Sequence, residues 1–344
     1  MKQLLTCILL ILSSFVSAQQ EFFKSDQKFS TENLEKFYSS VTIHDSIILF
    51  KANDYSLYAY NKHTGKQIWK YYLRYKSNSH PHVAGGYIWT NDAEEDGLRL
   101  DITGSNPKKL PFSVYSKPLI KNNLLYTTGL YEAGNLLAYD MAADSIVWYH
   151  FIAHGCDRQP YYLQDRIIAN AEGSNWFEID YNGALLNKDC ELDENEYPSG
   201  ENCYDPFIIR THDGNRMYEK QGEKFLLGEY SEPEVSYTAN KTFILHEGRF
   251  SIVGKKMKKL FSKELIELSD SIEEDNYEFS SILKTDDKHA WILYNQKLLV
   301  FDHHKNKIEN LIDLAAWEPH SAEMDGNNLW LISKKDGLLY GIKL

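Results

Sequence analysis

The sequence predicts an all-β protein built from a repeated four-stranded unit, and three observations carry that expectation. Helix signals are scarce, whereas alternating runs of about four to eight residues, bounded by turn residues, occur throughout the chain. A pair of strands recurs at intervals of about forty residues. Six of the nine prolines stand at the start of that pair, a position where a strand tolerates a residue without an N–H.

The series opens without a proline at YSSVTIHDSIILFKA (38–52) and continues through PHVAGGYIWTN (81–91), KPLIKNNLLYTT (117–128) and QPYYLQDRIIAN (159–170). DPFIIRTHDGNRMYE (205–219), PEVSYTANKTFILHE (233–247), SSILKTDDKHAWILYN (280–295) and PHSAEMDGNNLWLIS (319–333) complete it. A third and a fourth strand follow in SLYAYNKHTGKQIWKYYL (56–73), NLLAYDMAADSIVWYHFI (135–152), NWFEIDYNGALLNKDCEL (175–192), RFSIVGKKMKKLFSKEL (249–265) and KLLVFDHHKNKIENLIDL (297–314). About forty residues and four strands make one blade of a β-propeller, whose blades cannot bury both faces alone and therefore stack around a channel. Eight blades are expected, or seven if the irregular stretch 205–230 is not one. The last unit stops at GLLYGIKL after its third strand, and EFFKSDQKF (21–29) is expected to supply the fourth, so that the ring closes without an open edge.

With the repeat in hand, LYAYNKHTGKQIW resembles the repeat of the pyrroloquinoline-quinone-like propellers, which carry a Leu-Tyr-Ala-Leu-Asp, Thr-Gly-Lys, Trp pattern; LLAYD with Trp148 and LLVFD are weaker copies. The resemblance implies an eight-bladed fold and an exported bacterial protein. It does not imply one function, because the same repeat serves quinone dehydrogenases and non-catalytic scaffolds such as the lipoprotein of outer-membrane β-barrel assembly.

The first residues read as a leader rather than as fold. Lys2, an apolar run from Leu4 to Val16 and the small residues of Val16-Ser17-Ala18 form a secretory signal peptide with cleavage after Ala18. The alternative, lipid attachment at Cys7, leaves too few residues ahead of the cysteine. Residues 19–344 then form a single propeller domain, periplasmic or secreted. No later stretch approaches the roughly 18 apolar residues of a spanning helix. With 49 acidic against 37 basic residues the chain carries a net charge of −12, and loss of Lys2 makes it more acidic still, which argues against nucleic acid or an anionic membrane as partner. In an oxidising compartment Cys190 and Cys203 are placed to pair, leaving Cys156 odd; three reduced thiols are the alternative.

A quinone site lacks adjacent cysteines and an acidic cluster at defined strand ends, so no cofactor is expected. The tryptophans recur at fixed repeat positions, which marks them as packing between blades; only Trp317, in LAAWEPH, lies in a connection between units and is a candidate for ligand contact. His82 and His320, each after a proline, read as equivalent repeat positions, and His303-His304 as a surface turn, so no metal site is expected from histidine. Asp92, Glu94 and Asp96 loosely resemble a calcium loop, but the downstream acid Asp101 is out of register.

Charge is more informative. Second-to-third turns and blade-to-blade loops share one face of a propeller and read NDAEEDG, GLYEAGN, DENEYPSGENCYD, GEYSEPE and IELSDSIEEDNYEFS; third-to-fourth turns on the other face read NKHTGK, GSNPKK, GKKMKK and HHKNK. The two longest insertions, 193–205 and 266–280, fall on the acidic face, where binding loops on a rigid scaffold belong. The expected function is therefore a non-catalytic, monomeric scaffold or inhibitor that takes a protein or peptide with a basic surface. Its contact residues would be Glu94, Glu95, Asp96, Glu194, Glu196, Glu273, Glu274, Asp275, Tyr277 and Trp317. Two alternatives remain open: an enzyme acting on a polysaccharide or quinone-linked substrate at the channel mouth, and a glycan-binding module.

Overall fold

A computed structural model of the chain describes residues 19–28, 41–74, 81–92, 96–152, 159–162, 165–170, 176–186, 208–210, 215–220, 223–229, 234–246, 248–254, 258–273 and 280–344. These residues form eight antiparallel sheets in chain order, at 42–72, 82–109, 119–151, 161–180, 208–229, 234–264, 281–313 and 319–343. Each expected unit corresponds to one sheet. Six of the sheets have four strands; the fourth and fifth have three, and in the fourth an isolated bridge from Leu185 to Ile179 marks where the last strand would run. The eighth sheet is completed by the N-terminal strand Gln20–Lys28, which runs antiparallel to Leu338–Lys343 with Gln20 opposite Lys343 and Lys24 opposite Tyr340.

Burial runs from the middle of each sheet outward, and the sequence pattern follows it. In the first sheet Ile47–Lys51 and Ser56–Asn61 are covered on both sides, hence the nearly continuous apolar runs IILF and LYAY. The outer strand Gln67–Tyr72 turns alternate residues to solvent and alternates accordingly. Neighbouring sheets share cores: Ile48, Phe50, Tyr58 and Tyr60 pack with Trp330, Ile332 and Leu339 of the eighth sheet, while Leu49, Leu57 and Ala59 pack with Ile88, Leu98 and Leu100 of the second. Period-two alternation thus sends each strand's side chains to two different neighbours, as blade stacking requires. The innermost strand Thr42–His44 accordingly lies beside both Pro319–Asp325 and His82–Ala84.

The repeat motif has a local physical meaning. Its Asp or Asn closes the third strand: Asn61, Asp140, Asp180 and Asp302 each use Oδ1 to accept two backbone N–H groups of the turn that follows. The glycine of that turn adopts a left-handed conformation, φ +68° at Gly65, +75° at Gly104 and +92° at Gly183. The tryptophan of the fourth strand then lies on the next sheet's glycine. A Cβ on Gly104 would come within 2.5 Å of Trp69, and one on Gly183 within 2.7 Å of Trp148. Both indole N–H groups donate to carbonyls of the same turns, Ile102 O at 3.2 Å and Tyr181 O at 3.3 Å. At Gly65 the ring in this position is Phe23 of the N-terminal strand, 2.9 Å from where a Cβ would be.

Two sequence expectations are corrected. His303 and His304 lie in a turn as expected, but the His303 side chain is buried rather than solvated: it stacks on His304, with Nε2 on Asp286 O at 3.0 Å and Nδ1 facing Lys241 Nζ at 2.7 Å, which joins the sixth and seventh sheets. Nor are His82 and His320 equivalent. Strand Pro319–Asp325 is longer than its counterparts, and pairing places Glu323 opposite Trp330 just as His82 stands opposite Trp89.

Candidate functional site

The candidate site is the face of the sheets that carries their second-to-third turns. Blade-to-blade connections meet second-to-third turns there, as when Leu73 N donates to Tyr55 O, Leu314 N to Gln296 O and Asn295 Nδ2 to Glu273 O. The most developed contact is Arg74, in the connection after the first sheet. Its Nε reaches Asp92 Oδ2 at 2.5 Å, its terminal nitrogen reaches Asp96 Oδ2 at 2.8 Å, and its backbone N–H donates to Asp92 Oδ1. The two described residues of the calcium-like loop therefore hold a guanidinium, a geometry that suits Arg because its planar donors address two carboxylates at once. Beside Asp96 lies an open depression of about 320 Å³, lined also by Pro111, Leu130, Tyr131, Glu132 and Ala133. Glu132, at φ +63°, forms the tip of the hairpin between Leu124–Tyr131 and Ala133–Asp140, whose strands of eight residues exceed the five of Tyr87–Asn91.

Of the sequence-derived contacts, Asp96 lies in this cluster and Glu273 is exposed on the same face. Trp317 sits in the connection between the seventh and eighth sheets, but its ring is half-buried against the core those sheets share. Glu94, Glu95, Glu194, Glu196, Glu274, Asp275 and Tyr277 fall outside the described residues, as do Cys156, Cys190 and Cys203. On the opposite face the basic turns are met by acids, Lys62 with Asp325 at 2.7 Å and Lys108 with Asp144 at 2.9 Å, so that face is less uniformly positive than its turn sequences.

The channel wall was not singled out by the sequence. An innermost strand has one free edge, and its backbone groups need partners. Side chains of adjoining sheets supply them: Gln159 bonds both backbone groups of Lys117, Glu234 accepts from Ile282 N and Ser281 Oγ, and Thr42 Oγ1 donates to Pro81 O. Glu323 of the eighth sheet accepts from the Ile43 backbone in the first. Burial pushes the Glu323 carboxyl up to about 7, against the opposing pull of the Ile43 N–H and the Lys117 charge. Glu234 is raised for the same reason, and its two hydrogen bonds oppose the shift. Glu323 also lines a cavity of about 280 Å³ with Thr42, Ile43, His82 and Lys117, residues from four different sheets.

On the outer part of the seventh sheet His289, Asp302 and Glu309 bring three ligand-type atoms within 4.8 Å of one another. Lys288 and Lys305 stand among them, Lys288 Nζ 3.0 Å from Glu309 and Lys305 Nζ 3.2 Å from Asp302. The negative charge of the cluster is balanced by the chain's own cations, which makes it an ion-pair network.

Sheet architecture and blade-to-blade cores define a β-propeller, and the solved structures it resembles agree at the level of fold. The computationally designed Ika8 protein matches with a TM-score of 0.65 at 12% identity, covering 94% of this chain and 100% of that one. The C-terminal WD40 domain of Sif2, a propeller repeat, matches with a TM-score of 0.65 at 12% identity, covering 96% and 99%. BamB from Moraxella catarrhalis gives a TM-score of 0.48 at 14% identity over 89% of this chain and 82% of that one. No family model and no curated protein matches the sequence. Among the described residues no helix is long and apolar enough to cross a membrane.

Proposed function

We propose that this protein is an exported, non-catalytic propeller that binds a protein or peptide with a basic surface through the face bearing Asp96, Glu132 and Glu273. The observation that supports this reading is the Arg74 clamp: carboxylates on this face converge on a guanidinium with charge-assisted geometry, beside an open depression that has further carboxylate on its rim. A partner's Arg or Lys would be taken in the same manner, with the longer acidic insertions 193–205 and 266–280 steering its approach. Each exposed pair contributes little alone, so affinity depends on the set.

The test is affinity capture from the native envelope or secreted fraction, followed by titration of the captured partner. A variant carrying Asp96→Asn, Glu132→Gln and Glu273→Gln, with the acids of both insertions neutralised, is expected to bind about tenfold or more weakly, and wild-type affinity to fall as salt is raised. Unchanged affinity in that variant would remove this face as the binding site.

A further inference from the structure

The cavity lined by the eighth, first and second sheets and the lead-in to the third holds two opposite charges, a half-buried Glu323 and an exposed Lys117, that act on each other without forming a contact ion pair. Glu323 brings a carboxylate from Pro319–Asp325, and Lys117 brings an ammonium from the lead-in to Leu119–Lys121. Neither side chain makes an ion pair within 4.0 Å among the described residues. Val41, Ile43 and Val83 give the same cavity an apolar lining, and its volume of about 280 Å³ exceeds that of a small amino acid. A half-buried carboxylate with no cation in direct contact is disfavoured, and a ligand that brings one relieves the cost.

We propose that this cavity binds a free α-amino acid with a small apolar side chain. The ligand's ammonium pairs with Glu323, its carboxylate with Lys117, and its side chain lies on Val41, Ile43 and Val83. A single zwitterion thereby neutralises both charges, which neither a simple amine nor a simple acid can do. The site lies on the channel wall and is independent of partner binding at the acidic face.

The probe is L-valine, titrated calorimetrically into the full chain, with isobutylamine and isobutyrate as ligands bearing one charge each. Saturable one-to-one binding of L-valine is expected, with both half-ligands at least about tenfold weaker. Glu323→Gln retains an oxygen to accept the Ile43 N–H, and Lys117→Met retains the aliphatic stem; each is expected to weaken L-valine about tenfold or more. Lys343→Met, on an exposed rim residue, should leave binding unchanged. Circular dichroism of each variant establishes that it is folded. Absence of saturable binding by L-valine, L-alanine and L-leucine overturns the proposal. So does binding that survives both cavity substitutions, or half-ligands that bind as well as the amino acid.

Discussion

Glu323 illustrates how one residue of a repeat can depart from its copies and acquire a different chemistry. The equivalent positions hold Thr42 and His82, both bonded to backbone carbonyls, whereas Glu323 offers only acceptors and meets the Ile43 N–H. Because its folded-state pKa is raised to about 7, the proton is bound more tightly in the fold than in the unfolded chain, whose value is near 4.5. The resulting stabilisation is fully present below about pH 4.5 and is lost as pH rises through about 7. Thermal melts of wild type and Glu323→Gln should therefore diverge as pH goes from about 5 to 8, the variant gaining on the order of 1 kcal/mol relative to wild type. Parallel curves would show that Glu323 titrates normally. Glycine gives a second residue-level test. Gly104→Ala adds left-handed strain and a 2.5 Å clash with Trp69, whereas Gly86→Ala at φ +81° meets nothing within 4 Å. Chemical denaturation should show a loss of about 2–4 kcal/mol for the first and about 1 kcal/mol for the second. Glu323 was hidden in the sequence because the first strand of the eighth sheet is lengthened: Pro319-His320 imitates Pro81-His82, while the residue that faces Trp330 comes three positions later. Arg74 was hidden for another reason, since a single cation in a connecting loop has no periodicity to mark it.

Strands were far more legible, and the physical reason is that their environment is periodic. A third strand sandwiched between neighbours must be apolar, its closing residue must accept turn N–H groups, and the turn glycine must leave room for an indole; LYAYNKHTGKQIW states all three requirements in order. The Trp could be read as packing between blades, but its seat on the next sheet's glycine could not, because that contact joins residues 33 or more apart. Among the described residues the fifth sheet, the least regular in sequence, has three strands. The N-terminal strand was legible by subtraction, since the final unit lacked its fourth member. Phe23 fills the tryptophan's place there, between Tyr60 at 5.6 Å and Trp330 at 5.3 Å. Phe23→Ala is expected to cost about 3 kcal/mol and to raise amide exchange in Leu338–Lys343 before other strands, as followed by hydrogen–deuterium exchange. Uniform exchange across the eight sheets would mean that the N-terminal strand adds little to the last one.

At the scale of the whole molecule, the propeller separates its chemistry by location. Outer turns of the first, third, fourth and seventh sheets carry the repeat motif, Asp96, Glu132 and Glu273 lie in turns and connections that the pattern leaves unconstrained, and the channel wall collects residues distant in sequence, such as 43, 117 and 323. A property of the assembled ring, such as the juxtaposition of Glu323 and Lys117, has no signature in any one repeat. The expectation of an acidic face, by contrast, could be formed from the sequence because each loop contributes its charge locally; most of the residues it names lie outside those described.

The pairing of Gln20–Lys28 with Leu338–Lys343 has a consequence for how the chain is made. Synthesis delivers the first of these strands about three hundred residues before its mate, so the early strand must wait with its edge unpaired while the intervening sheets form. Two chains waiting side by side can each lend that strand to the other, giving an exchanged dimer with the same hydrogen bonds as the monomer. Crowded refolding should therefore yield such dimers, whereas dilute refolding favours the self-paired molecule.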